Sequence, residues 1–218
     1  MDTPACEKDG AAIVLNGDFN PKIFHPSWLA LQKLIREQEA AEAQVEVTSR
    51  EVAQFSLDWL VVQVVPDRFA AIANERSRFE SLLDLVVGVF TVLEHTPVTG
   101  AFVIRNMHYR MPTREAYKGF GDMLAPKPPW GELLTNIGLQ SQTMVGKRPE
   151  SSSKAVRFKV ERSNVVKPNG IYFESNELFE LGPDVKNVLK YVEVLREAAV
   201  PSIEYGKTVA DTLLSRTY

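Results

Sequence analysis

The stretch Ala155-Val156-Arg157-Phe158-Lys159-Val160-Glu161-Arg162, with Pro168-Asn169-Gly170 and Ile171 to Phe179 behind it, decides the fold class. Val156, Phe158 and Val160 alternate with Arg157, Lys159 and Glu161, the period of a strand with one dry face and one wet face. Pro168-Asn169-Gly170 reverses the chain, so 155–179 predicts an antiparallel hairpin. Beyond Gly182-Pro183-Asp184, the stripe Val185, Val188, Leu189, Val192, Leu195 predicts a helix, and Pro201-Ser202 predicts the start of a second one through Val209 and Leu213.

The same order runs upstream. A short strand over Ala11–Leu15 meets the turn formers Asn16-Gly17-Asp18-Phe19-Asn20-Pro21, and Trp28, Leu31, Leu34 and Ile35 predict a helix from Pro26 that fades in the acidic run 37–42. Val45, Val47, Phe55, Leu57 and the dense run Trp59–Val65, stopped by Pro66-Asp67, predict two or three antiparallel strands. Asn74 offers an N-cap to a helix carried by Phe79, Leu82, Leu83, Val86, Phe90 and Leu93, and Val98–Tyr109 reads as a strand. Residues 112–138 are punctuated by Pro and Gly, with short helices expected at 114–118 and 130–136. Strands followed by helices predict an α+β fold, an antiparallel sheet with helices packed on one face. The expected organisation is a single domain, 1–218, with possible strand-then-helix halves at 11–110 and 139–216 joined by an irregular segment 111–138.

Charge divides the chain unevenly. Residues 99–167 carry twelve Lys and Arg against five Asp and Glu, leaving thirteen basic and twenty-three acidic side chains elsewhere, although the net charge is only −3. Such a segment is expected to fold into a contiguous basic surface patch able to meet an anionic ligand, an acidic partner or a second copy of the chain. On the 98–110 strand one face runs Phe102, Ile104, Asn106, His108, Arg110, passing from apolar to polar as if leaving the core. Arg105, His108, Arg110, Arg157 and Lys159 are therefore the candidate ligand-binding residues.

Catalytic and metal signatures fail on spacing. Gly206-Lys207-Thr208 ends like a phosphate loop, but Pro201 stands where its first glycine belongs; Gly119-Phe120-Gly121 has Leu124 in place of the third glycine of a dinucleotide fingerprint. Ser151 and Lys154 lack companion motifs, and Asp18 and Asn20 open no calcium loop. His25, His95 and His108 are dispersed, and Cys6 is alone, so no metal, cofactor or internal disulfide is expected. Glu174, Glu177 and Glu180, with Glu161 expected across the hairpin from Glu174, read as solvated carboxylates. The N-terminal residues carry no cationic leader or apolar run, and the apolar stretch Leu82–Leu93 is broken by Asp84, so neither a secretory signal nor a membrane span is expected and a reducing cytoplasm is the expected location.

Gly17-Asp18-Phe19-Asn20-Pro21, Gly121-Asp122-Met123-Leu124-Ala125-Pro126-Lys127 with Trp130, and Val160-Glu161-Arg162-Ser163 leading to Asn169-Gly170-Ile171-Tyr172 give the chain a resemblance to a sporadically distributed family of uncharacterised bacterial proteins. The resemblance implies no activity, cofactor or functional residue; patchy distribution is associated with mobile or defence loci. The leading expectation is a non-catalytic cytoplasmic interaction or assembly protein that docks a protein partner or itself. The alternative is binding of a nucleotide or nucleic acid through the basic middle segment, and an enzyme using His108 with Asp122 or Glu161 ranks last.

Overall fold

The computed structural model describes residues 4–216. Among them nine strands form one sheet: β1 (Ala5–Gly17), β2 (Gln44–Thr48), β3 (Ala53–Ser56), β4 (Leu60–Val65), β5 (Arg68–Ala73), β6 (Val98–Arg110), β7 (Ser141–Gly146), β8 (Ala155–Arg162) and β9 (Gly170–Phe179). Their order is β2-β3-β4-β5-β1-β6-β9-β8-β7, and every neighbouring pair is antiparallel. The helices are α1 (Pro26–Leu31), α2 (Glu37–Ala41), α3 (Phe79–Val92), α4 (Arg114–Leu124) and α5 (Val188–Ser215). The α+β class with its antiparallel sheet is as the alternation predicts, and the 155–179 hairpin pairs from Ala155 with Leu178 to Arg162 with Ile171.

The strand order has a symmetry that composition hides. β1 leads into helices, then a meander whose last strand returns beside β1; β6 leads into α4, then a meander whose last strand returns beside β6. β1 and β6 pair antiparallel at the centre, Ile13 opposite Val103. β6 is thus the counterpart of β1 in the strand order.

One face of the sheet is dry. Along β6, Ala101, Val103, Arg105, Met107 and Tyr109 are buried, while Phe102, Ile104, Asn106, His108 and Arg110 on the other face keep partial exposure. The dry face packs against all the major helices in two apolar clusters. The larger joins Ile13, Leu15, Phe69 and Val103 to Leu82, Phe90 and Leu195; the smaller joins Met107, Tyr109 and Phe173 to Phe120, Ala210 and Leu214. Between them lies a polar seam of Arg105, Ser175 and Glu177 beneath α5, each 3% exposed or less.

Four local expectations are corrected. β5, Arg-Phe-Ala-Ala-Ile-Ala, is a fourth strand of the first meander; alanine is depleted in strands, and only its place between β4 and β1 makes the segment extended. The helix expected from Pro26 is two short helices, broken where Lys33 takes a positive φ of 59°. α3 is preceded by a single 3-10 turn at Arg76–Arg78 and has Arg78, not Asn74, at its N-cap. The two expected C-terminal helices are one helix of 28 residues containing Pro201. Proline removes the amide that would reach Glu197, but Glu197 and Pro201 are exposed, so water meets the freed carbonyl, while the Ser202 hydroxyl donates to Ala198 O at 2.7 Å. No helix among the described residues is long and apolar enough to cross a membrane.

Candidate functional site

The five candidate residues divide between the two faces. Arg105 has the same parity as Val103 and Met107 and lies on the dry face, 1% exposed. Its Nε and Nη2 donate to the two carboxylate oxygens of Asp9 at 2.9 and 2.6 Å, its Nη1 donates to Ile203 O at 2.8 Å, and the guanidinium lies 5.5 Å from the Phe79 ring centre. Arg105 is a brace from β6 to β1 and α5, and its burial keeps it out of reach of a ligand in solvent. His108, Arg110, Arg157 and Lys159 share the uncovered face through the registers His108 with Tyr172, Asn176 with Arg157, and Glu174 with Lys159.

Those cations are neutralised by neighbours. Arg110 forks onto Glu7 and donates to Lys167 O at 2.8 Å; Arg157 meets Glu174 at 2.8 Å and Lys159 meets Glu161 at 2.8 Å. Arg148 reaches the buried Glu177 at 3.1 Å, Lys154 pairs with Glu180, and Lys127 with Asp122 at 2.8 Å. Counting Arg105, seven of the twelve cations of 99–167 hold a carboxylate within 4.0 Å, and five of the seven draw one from outside the segment. The expected contiguous basic patch is therefore dissolved into a ladder of ion pairs. Lys159, not Glu161, faces Glu174, and Glu177 is a buried ion-pair member that also accepts from the Ser151 hydroxyl at 2.8 Å.

A polar cluster that sequence spacing does not show surrounds His108. Its Nδ1 lies 2.8 Å from Ser163 Oγ, and its ring packs on Tyr172 at 4.8 Å. Ser163 Oγ already accepts from the amides of Val165 at 3.2 Å and Val166 at 2.8 Å, so the hydroxyl donates to a neutral Nδ1. With both lone pairs engaged and 1% exposure, Ser163 anchors a turn and is no nucleophile. Tyr172 donates to Asn106 Oδ1 at 2.6 Å; burial, then the Glu174 carboxylate, holds its hydroxyl protonated well above the ordinary tyrosine range.

Burial, reinforced by Lys8, lowers the His108 pKa below 6.5. The unfolded chain therefore takes up this proton first, and stability falls as pH drops below 6.5 until the folded imidazole also titrates. Thermal melts on either side of that value show a decline in wild type that is smaller in His108→Gln. An equal decline in the variant refutes the assignment.

Two further surfaces remain. The sheet ends in unlike edges. β2 is interrupted by a bulge between Val45 and Val47 and carries Glu46, whereas β7, Ser-Gln-Thr-Met-Val-Gly, is regular and uncharged, with Met144 61% and Val145 70% exposed. Between α4, the 131–139 segment and β8 lies a cleft of about 730 Å³. Its walls include Phe120, Leu139, Val160 and Ile171, and its rim includes Arg114, Lys118 and Arg162. Arg114 and Lys118 are one turn apart because Thr113 caps α4, its hydroxyl accepting from Ala116 N at 3.0 Å, and sets the helix in register. No protein-family model matches the chain, and no curated protein matches it.

Proposed function

We propose that the protein is a non-catalytic assembly protein that pairs with a second copy of itself through β7. The observation that carries this reading is the contrast between the two sheet edges. An edge strand offers a row of unpaired amides and carbonyls, and proteins blunt it with bulges, charge or proline. β2 has the bulge and the charge. β7 has neither, and its Met144 and Val145 are exposed on opposite faces. A neutral strand meets its own copy without like-charge repulsion, and antiparallel pairing about a two-fold axis normal to the sheet continues it with every side chain on its original face. The charge ladder beside it, neutral within the chain, does not oppose this contact. The single Cys6 fits a reducing cytoplasm, where such an assembly needs no disulfide.

Thr143 and Met144 lie at the middle of the strand, next to the axis. Light scattering of the eluting full chain gives the mass of a dimer in low and in high salt, since the contact is made by backbone and apolar groups. Met144→Lys and Thr143→Lys each place two ammonium groups near one another across the axis and shift the population to monomer, with dimerisation weakened about tenfold or more, on the order of 1.4 kcal/mol. Both positions are exposed, so the monomers stay folded. A wild-type chain that is monomeric in both salts, or lysine variants that remain dimers, overturns the reading.

A further inference from the structure

We infer that the cleft between α4 and β8 is a binding site for a soluble organic phosphate with a flat or apolar body, of the nucleotide class. The argument begins with which cations the fold leaves unpaired. Elsewhere in 99–167 the chain neutralises lysines and arginines with carboxylates drawn from distant segments, Asp9 for Arg105 and Glu7 for Arg110 among them. Five are left with no carboxylate within 4.0 Å among the described residues: Arg114, Lys118, Lys147, Arg162 and Lys167. Three of these, Arg114, Lys118 and Arg162, line the one cleft.

Asp122 and Glu161 also line the cleft, but Lys127 and Lys159 hold them at 2.8 Å each, so the other three cations have no carboxylate within 4.0 Å. Arg114 and Lys118 are a like-charged i, i+4 pair, a spacing at which like charges repel. Arg114 also occupies the first turn of α4, where the helix dipole presents its positive end and favours acidic groups. Arg162 adds a third cation from the facing strand. A dianion between them offsets all three terms, and two guanidinium forks with one ammonium suit the oxygens of a phosphate better than a lone carboxylate.

The remaining walls describe the rest of the ligand. Val160, Ile171, Leu139 and Phe120 give an apolar floor, and Tyr117 at the rim offers an aromatic ring. A volume of about 730 Å³ exceeds what a free phosphate needs and lies within the range of small-molecule sites, roughly 300–1,000 Å³. This site shares no residue with the five candidates read from the sequence, and it is independent of pairing through β7.

The test is calorimetric titration of the full chain with ADP, with inorganic phosphate and with phosphatidylglycerol vesicles. ADP binds, more tightly than inorganic phosphate, and its affinity falls steeply with added salt. Arg162→Gln and Lys118→Gln, both substitutions of side chains outside the core, each weaken ADP about tenfold or more. Arg157→Gln, which breaks a pair on the opposite face, leaves the affinity unchanged. Absence of ADP binding, equal affinity for ADP and inorganic phosphate, binding to vesicles without a response to ADP, or loss of affinity in Arg157→Gln but not in Arg162→Gln would each overturn the assignment.

Discussion

Phe69→Ala lowers the free energy of unfolding by about 3–5 kcal/mol, read from urea denaturation. The ring is 1% exposed and sits at the middle of an aromatic quartet, its centroid 4.9 Å from Phe90 edge-on, 5.4 Å from Phe24 and 6.4 Å from Phe19. These four side chains join β5, the turn after β1, the approach to α1, and α3. Truncation removes buried aromatic area and leaves a void that rings held by separate elements refill only in part. Phe69→Leu keeps most of the volume and costs less, about 1–2 kcal/mol. If alanine and leucine cost the same, the quartet is not the packing centre its geometry implies.

Arg105→Met costs about 3 kcal/mol, the lower end for breaking a buried ion pair, because the Asp9 carboxylate retains 16% exposure and recovers some hydration. The loss comes from the stranded Asp9 more than from attraction forgone, since the Ile203 carbonyl keeps its place in the α5 ladder. Asp9→Leu in the same chain removes the stranded charge and restores most of the stability, so the double-mutant cycle gives a coupling of about 1–3 kcal/mol. Additive losses, or a single-variant cost below about 1 kcal/mol, would sink the description of Arg105 as a brace.

Some of this was legible in the residues. The alternation of Val156, Phe158 and Val160 and the turn at Pro168-Asn169-Gly170 predicted the hairpin because period and turn chemistry agreed. The same alternation held the signal for Arg105: Val103, Met107 and Tyr109 are its neighbours two and four positions away, which places it on the dry face. Its partner was not legible, since Asp9 is 96 residues distant and meets it only through the β1–β6 pairing. β5 carries no strand signal of its own, since its alanine-rich segment is extended only by its place between β4 and β1, and Pro201 interrupts the sequence pattern of a helix that burial on one side holds together. The cleft arises from a stretch with no period at all. Arg114 and Lys118 lay in plain view, but Arg162 joins them only when β8 docks against α4.

The polar seam beneath α5 fixes where that helix can sit. Purely apolar surfaces tolerate sliding, because one leucine replaces another at little cost. If α5 advanced by a turn, the Arg105 guanidinium would lose Ile203 O, and Ser175 would no longer face Gly206, where an added Cβ would come within 2.7 Å of the serine Cβ. Misaligned dockings thus leave a buried Arg105 donor without its acceptor or force a clash, and one alignment of the C-terminal rod is selected from several that would bury similar oily area.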